Sequence, residues 1–175
     1  MKYNSTRNKN NQVTAATAIK EGLSQEGGLF VPENIPSVTL DEIKSLADMS
    51  YQGRAKFVLS KYLTDFTEEE LENCINNAYI KEKFGTDNIA PVYKLNDNEY
   101  ILELWHGPTC AFKDMALQNL PHLLTTSMKK TNEDNDVEIL VATSGDTGKA
   151  ALEGFKDVDG THIIVFYPTK LQKIK

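Results

Sequence analysis

Cysteine is scarce in this sequence. Cys74 and Cys110 are its two cysteines, they lie far apart, and neither has a CxxC partner. That excludes a disulfide framework and favours reduced thiols. Long apolar runs are missing too. No stretch approaches the ~20 residues that cross a bilayer, and the start, Met1-Lys2-Tyr3-Asn4-Ser5-Thr6-Arg7, has no apolar signal core. A cytoplasmic protein with no membrane partner is expected. A basic excess is absent: 19 Lys and Arg stand against 25 Asp and Glu, a net charge of −6. Phosphate contacts need a basic face, so a general nucleic-acid binder is excluded. Lys170, Lys173 and Lys175 read as a solvated tail. His106, His122 and His162 have no metal-ligand spacing to one another or to the cysteines. Nor is there a G-x-S-x-G elbow around Ser144.

What is present is an ordinary globular composition, 40% hydrophobic and 25% charged over 175 residues. That is enough for one domain, or one and a small extra. Residues 1–90 read as mostly helical. The polar residues 1–12 suggest an extended arm. Thr14 to Leu23 is alanine-rich, with Gly22 near its end. Tyr51 to Leu63 carries Ala55, Val58, Leu59 and Tyr62 at helical spacing. Thr39 with Glu42, and Thr67 with Glu70, have capping-box spacing. The second pair precedes Leu71, Cys74, Ile75, Ala78 and Tyr79, which share one helical face.

Residues 91–175 follow a different pattern. Apolar strand-type runs at Tyr100–Leu104, Val137–Ala142 and His162–Tyr167 alternate with helical patterns at about 113–128 and 148–156. This order predicts α/β architecture, with βαβ units of a parallel sheet. Ile163-Ile164-Val165-Phe166 is apolar without alternation, as in a strand covered on both faces. Sheets average five or six strands. With three in hand at Lys175, more chain is expected to belong to the native protein.

Two loops stand at the carboxyl ends of such strands, where α/β sheets bind ligands. The first, Glu103 to Asp114, contains a Gly-Pro break and Lys113. An amine placed there can act as a nucleophile toward a carbonyl, with Ala111 and Phe112 as an apolar wall; the plain alternative is a solvated lysine in a first helical turn. His106 lies in the same loop and could line a site, while His162 reads as structural. The second loop, Ser144-Gly145-Asp146-Thr147-Gly148, opens a helix. Its N–H groups and hydroxyls suit a carboxylate or phosphate, or serve only as an N-terminal cap. It is not a P-loop, which needs glycine where Thr143 stands and Ser or Thr where Ala150 stands.

As an ordered set, five motifs resemble the threonine synthase family: Tyr3-Asn4-Ser5-Thr6-Arg7; Glu26-Gly27-Gly28-Leu29-Phe30-Val31-Pro32; Glu103-Leu104-Trp105-His106-Gly107-Pro108-Thr109; Ala111-Phe112-Lys113-Asp114; and Ala142-Thr143-Ser144-Gly145-Asp146-Thr147-Gly148-Lys149-Ala150-Ala151. The resemblance implies the β-family, fold type II (tryptophan-synthase-β-like) architecture, in incomplete form, and pyridoxal 5′-phosphate (PLP) covalently held by Lys113. It implies conversion of O-phospho-L-homoserine and water to L-threonine and phosphate. Phe112 and Asp146 would contact the cofactor, and Ser144, Gly145, Asp146 and Thr147 the substrate carboxylate. Family members are much longer, so the resemblance covers their N-terminal part. The groups for the cofactor phosphate and pyridine nitrogen are expected beyond residue 175, and the isolated chain is expected to lack turnover. Self-association through an exposed sheet edge is a further expectation. The alternatives are a non-catalytic anion-binding module, or another PLP lyase such as a threonine dehydratase.

Overall fold

The computed structural model describes residues 1–143 and 145–168. These group into two compact units: Met1–Asn77 with His122–Asp134, and Ala78–Pro121 with the segment from Asn135 onward. The change of sequence pattern near residue 91 falls inside the second unit.

The first unit opens on a three-stranded antiparallel sheet. In it β1 (Tyr3–Ser5) lies between β2 (Gln12–Val13) and β3 (Phe30–Pro32). The expected extended arm is therefore a sheet strand. Ser5 anchors it: the side chain is buried, with its hydroxyl 2.9 Å from that of Ser24. Gly28 sits against this pair, where a Cβ would come within 2.3 Å of Ser5 Oγ.

Helices follow, two of them at the capping boxes that the spacing predicts. Thr14 caps α1 (Ala15–Glu21), and Gly22 ends it at φ 68°. Thr39 and Glu42 close a capping box on α2 (Leu40–Ser45). The Thr39 amide and the Lys61 ammonium hold the Glu42 carboxyl down to about 2. Ser50 caps α3 (Tyr51–Tyr62). The Thr67–Glu70 box opens α4 (Glu68–Ala78), and Leu71, Cys74, Ile75, Ala78 and Tyr79 are all buried.

Against α4 the first unit places most of α7 (Leu120–Lys130). Cys74 Sγ lies 3.4 Å from Thr126 Oγ1, and burial pushes its thiol up. Lys130 donates to both Glu70 carboxylate oxygens, at 3.1 and 2.8 Å. Partial burial works to raise the Glu70 carboxyl, but Lys130 and the Thr67 amide outweigh it and hold it below its ordinary range. A lowered folded-state value means the stabilisation is present above the unfolded value of ~4.3 and is lost as pH falls through the folded one. Glu70→Gln should therefore cost roughly 1 kcal/mol at pH 7. In urea titrations that difference should shrink progressively as the pH falls below 4.

The second unit holds α5 (Lys81–Phe84), a hairpin of β4 (Val92–Lys94) and β5 (Tyr100–Leu102), α6 (Asp114–Leu117), and a βαβ unit. In the βαβ unit, β6 (Val137–Ala142) and β7 (Thr161–Phe166) pair in parallel around α8 (Asp146–Phe155), with Leu140 opposite Ile164 and Ala142 opposite Phe166. Two expectations change here. Among the described residues the strand at 100–102 pairs with β4, antiparallel, and not with β6 or β7. And β7 is not covered on both faces. The side bearing Val165 meets α8 at Gly148, while Leu140, Ile164 and Phe166 on the opposite side are exposed.

A third expectation, one helix over 113–128, also fails. α6 ends at Leu117 and α7 begins at Leu120. Pro121 is the reason: it has no N–H to offer the Leu117 carbonyl, and its ring would strike that oxygen in a continuous helix. The freed carbonyl faces Gly154 of α8, where a Cβ would sit 2.1 Å from Leu117 O. This close approach seats α8 on the end of α6.

Candidate active site

Both predicted loops belong to the second unit, each between a strand end and a helix. The first runs from the end of β5 to α6. Glu103 and His106 pair across it, Oε2 to Nε2, at 2.6 Å, and the Trp105 ring stacks on His106 with centroids 5.8 Å apart. Cys110 adopts φ 59°, unusual for a residue with a Cβ. Lys113 stands at the N-cap position of α6. Its Nζ lies 4.2 Å from the Phe112 ring centroid. Phe112 is exposed, so the expected apolar wall is instead a ring face receiving the amine, a cation–π contact. Lys113 Nζ makes no ion pair among the described residues.

Behind the lysine lies a contact that sequence reasoning missed. Asp114 is 0% exposed. Its Oδ2 accepts from the Thr109 amide at 2.9 Å and its Oδ1 from the Thr109 hydroxyl at 2.8 Å. The carboxylate fills the space a side chain would take at Gly107, where a Cβ would lie 2.4 Å from Asp114 Cβ. Just after α6, Gln118 and Asn119 are buried, and Gln118 Nε2 and Asn119 Oδ1 meet no partner among the described residues.

The second loop leads from β6 into α8. Gly145 takes the N-cap position and supplies no side-chain cap; its amide donates to Thr143 Oγ1 at 3.3 Å. Asp146 and Thr147 lie in the exposed first turn, whose N–H groups have no intrahelical acceptor. The Thr143 methyl occupies the space over Gly148, where a Cβ would come within 1.9 Å. Ser144, a predicted substrate ligand, lies outside the described residues, as do Lys170, Lys173 and Lys175.

The two loops are tied by Lys149 Nζ, from the first half of α8, which donates to the Thr109 carbonyl at 3.4 Å. The other sequence candidates lie elsewhere. His162 is an exposed partner of Asp136 at 3.2 Å. Cys74 and Cys110 are free thiols. No cluster of His, Cys, Asp and Glu among the described residues could hold a metal ion, and no helix among them is long and apolar enough to cross a membrane.

Residues 2–79 match the family model described as threonine synthase N terminus. The chain is 40% identical to the threonine synthase of Pseudomonas aeruginosa over 169 residues, which is 96% of this chain and 35% of that protein. Its structure superposes on a PLP-bound threonine synthase from Brucella melitensis with a TM-score of 0.88 and 36% identity, covering 96% of this chain and 36% of that one. For the yeast threonine synthase structure the TM-score is 0.87 at 32% identity, over 96% and 35%. The chain thus spans about a third of the length of these relatives. Its mixed α/β architecture is that of the matching third of these fold type II structures. Likeness at this level along nearly the whole chain, beginning with the domain match over residues 2–79, makes it a member of the threonine synthase family.

Proposed function

We propose that this chain is the N-terminal part of a PLP-dependent threonine synthase, a carbon–oxygen lyase that converts O-phospho-L-homoserine and water to L-threonine and phosphate. The observation that carries the proposal is the amine of Lys113. It stands at the start of α6 with no ion pair among the described residues, in a loop tied to the open start of α8, inside a chain resembling a PLP-bound enzyme.

The residues present fit that cofactor by their chemistry. A primary amine engaged, among the described residues, by an aromatic ring is available for covalent attachment to an aldehyde. Phe112 would contact the cofactor beside it, and Asp146 would contact it from the second loop. When bound, PLP supplies an electron sink for carbanion chemistry at the substrate. The uncapped first-turn N–H groups of α8, with the Thr147 hydroxyl, would hold the substrate carboxylate, aided by the helix dipole. Gly145 leaves the backbone open to it, since among the described residues nothing beyond its chain neighbours lies within 4 Å of where its Cβ would be. Ser144 completes the proposed carboxylate site. The Lys113 amine would move protons at the substrate Cα and Cβ while the γ-phosphate leaves and water adds at Cβ.

Because the chain covers about a third of its relatives, we expect no turnover from the 175-residue polypeptide alone. A cytoplasmic location, and self-association through the bare edges of the β6–β7 sheet, belong to the same proposal. Cell fractionation and sedimentation test them.

Incubation with PLP, borohydride reduction and peptide mapping test the centre of the reading. The label is expected on Lys113. Label elsewhere would sink the Lys113 assignment, and saturable phosphate binding with no label would point instead to an anion-binding module. Phosphate release from O-phosphohomoserine, by a polypeptide of the relatives' full length, separates a threonine synthase from a threonine dehydratase.

A further inference from the structure

We infer that Asp114 is a positioning residue: its buried carboxylate grips Thr109, fixes the turn that presents the Lys113 amine, and couples that turn to α8. The inference rests on the reading of Lys113 above and adds residues with no role in it.

Every polar group of Thr109 is engaged. Its amide and hydroxyl donate to Asp114, and its carbonyl accepts from Lys149. The first two bonds reach back five residues from the helix start and close the segment 109–114 into a ring. The Asp114 amide donates within that ring to the Ala111 carbonyl at 3.0 Å, and the Cys110 amide donates out of it to the Gly107 carbonyl at 3.0 Å. Cys110 is held at φ 59°, a conformation that persists for a residue with a Cβ only where surrounding contacts enforce it. Bonds to a carboxylate are roughly twice as strong as neutral ones, and Asp114 sits where water cannot compete. The Lys113 carbonyl accepts from Ala116 and Leu117 at 3.1 and 2.9 Å, so the lysine backbone is pinned from the helix side as well. Its side chain therefore leaves from a point set by Asp114 on one side and the first turn of α6 on the other. Lys149 brings the same Thr109 into register with the start of α8.

The alternative is that Asp114 contributes only to folding, and lysine reactivity separates the two. Thr109→Val removes the hydroxyl bond and keeps the amide and carbonyl. Thr109→Ser keeps all three, and Asp114→Ala removes both bonds. Each 175-residue protein is checked for native circular dichroism. Each is then treated with trace acetic anhydride, reading the acetylation of Lys113 relative to Lys20 and Lys44, and separately with PLP and borohydride. Displacement of a reacting group by ~1 Å can change its rate on the order of 10²-fold. We therefore expect Thr109→Val and Asp114→Ala to change relative acetylation of Lys113 at least about threefold and to lower PLP labelling about tenfold. Thr109→Ser should stay within about twofold of the parent on both. Unchanged Lys113 acetylation and labelling in folded Thr109→Val would overturn the inference. If Asp114→Ala does not fold, the two Thr109 variants decide alone. A parent protein that takes no PLP at Lys113, yet shows the acetylation pattern above, would sink the cofactor reading while leaving the positioning role standing.

Discussion

Lys113→Ala is expected to remove borohydride-stable PLP from the protein. In a polypeptide of the relatives' full length it should lower threonine formation by about 10³-fold or more. The size follows from the two duties proposed for one amine. Covalent attachment needs a nucleophile, and proton transfer by a positioned group contributes about 10² to 10⁴ in rate. Lys113→Arg is the sharper variant. It keeps positive charge over the Phe112 ring, now at 4.2 Å, but a guanidinium is not deprotonated in proteins and cannot form the bond. If the arginine protein retained label at the mapped peptide, the lysine would not be the point of attachment. If it lost label but kept turnover, the proton-transfer role would fail on its own. Phe112→Ala gives a milder comparison, because a cation–π contact at an exposed site is worth about 0.5–1 kcal/mol.

Helix starts were legible in the sequence because they are written locally. Thr14, Thr39, Ser50 and Thr67 each accept from an amide three residues on. The buried face of α4 was legible from its 3.6-residue period. Pairing of strands was not, because partner choice depends on the rest of the sheet. The run at 100–104 has the composition of a buried strand but hydrogen-bonds to the neighbouring residues 92–94 through a short connection. Residues 1–12 looked like an arm because their polarity hides a single decisive burial, that of Ser5 against Ser24 and Gly28. The split between α6 and α7 could have been read from Pro121 alone.

At the candidate site, glycine and lysine marked both loops, with Pro108 in the first, and the structure ties them through Lys149 and Thr109. What sequence did not reveal is the carboxylate behind the lysine. Asp114 reads as a first-turn acid, a surface feature on most helices. Its turn inward depends on two things: Cys110 taking a left-handed conformation without being glycine, which the residue string does not show, and Gly107 leaving room for the Asp114 side chain. The glycine carried part of that signal, since Gly107 stands where close backbone approach is required.

The same logic makes Gly154→Ala the most damaging small substitution in the second unit. Alanine should help α8 as a helix by about 1 kcal/mol. Against that, its methyl would lie 2.1 Å from Leu117 O and 2.9 Å from Leu117 C. Both are backbone atoms, so no side chain can rotate away, and α6 and α8 must separate by roughly 1 Å to restore normal contact. Overpacking of this kind costs about 1–3 kcal/mol or more, and parting the helices also opens the packing around buried Ala150, Ala151 and Phe155. We expect the loss to win by about 2 kcal/mol, a fall in thermal midpoint of roughly 4–8 °C for a chain of this length. Gly53→Ala, in the first turn of α3, is the control: its nearest neighbour is the Met49 side chain at 3.3 Å, and its midpoint should change little. The substitution at Gly154 should also reach the lysine. Leu117 donates its amide to the Lys113 carbonyl at 2.9 Å, so displacing Leu117 displaces the whole single turn of α6. PLP labelling of Lys113 should therefore fall at temperatures where the variant is still folded. A lower midpoint with undiminished labelling would show that the α6–α8 contact serves stability alone.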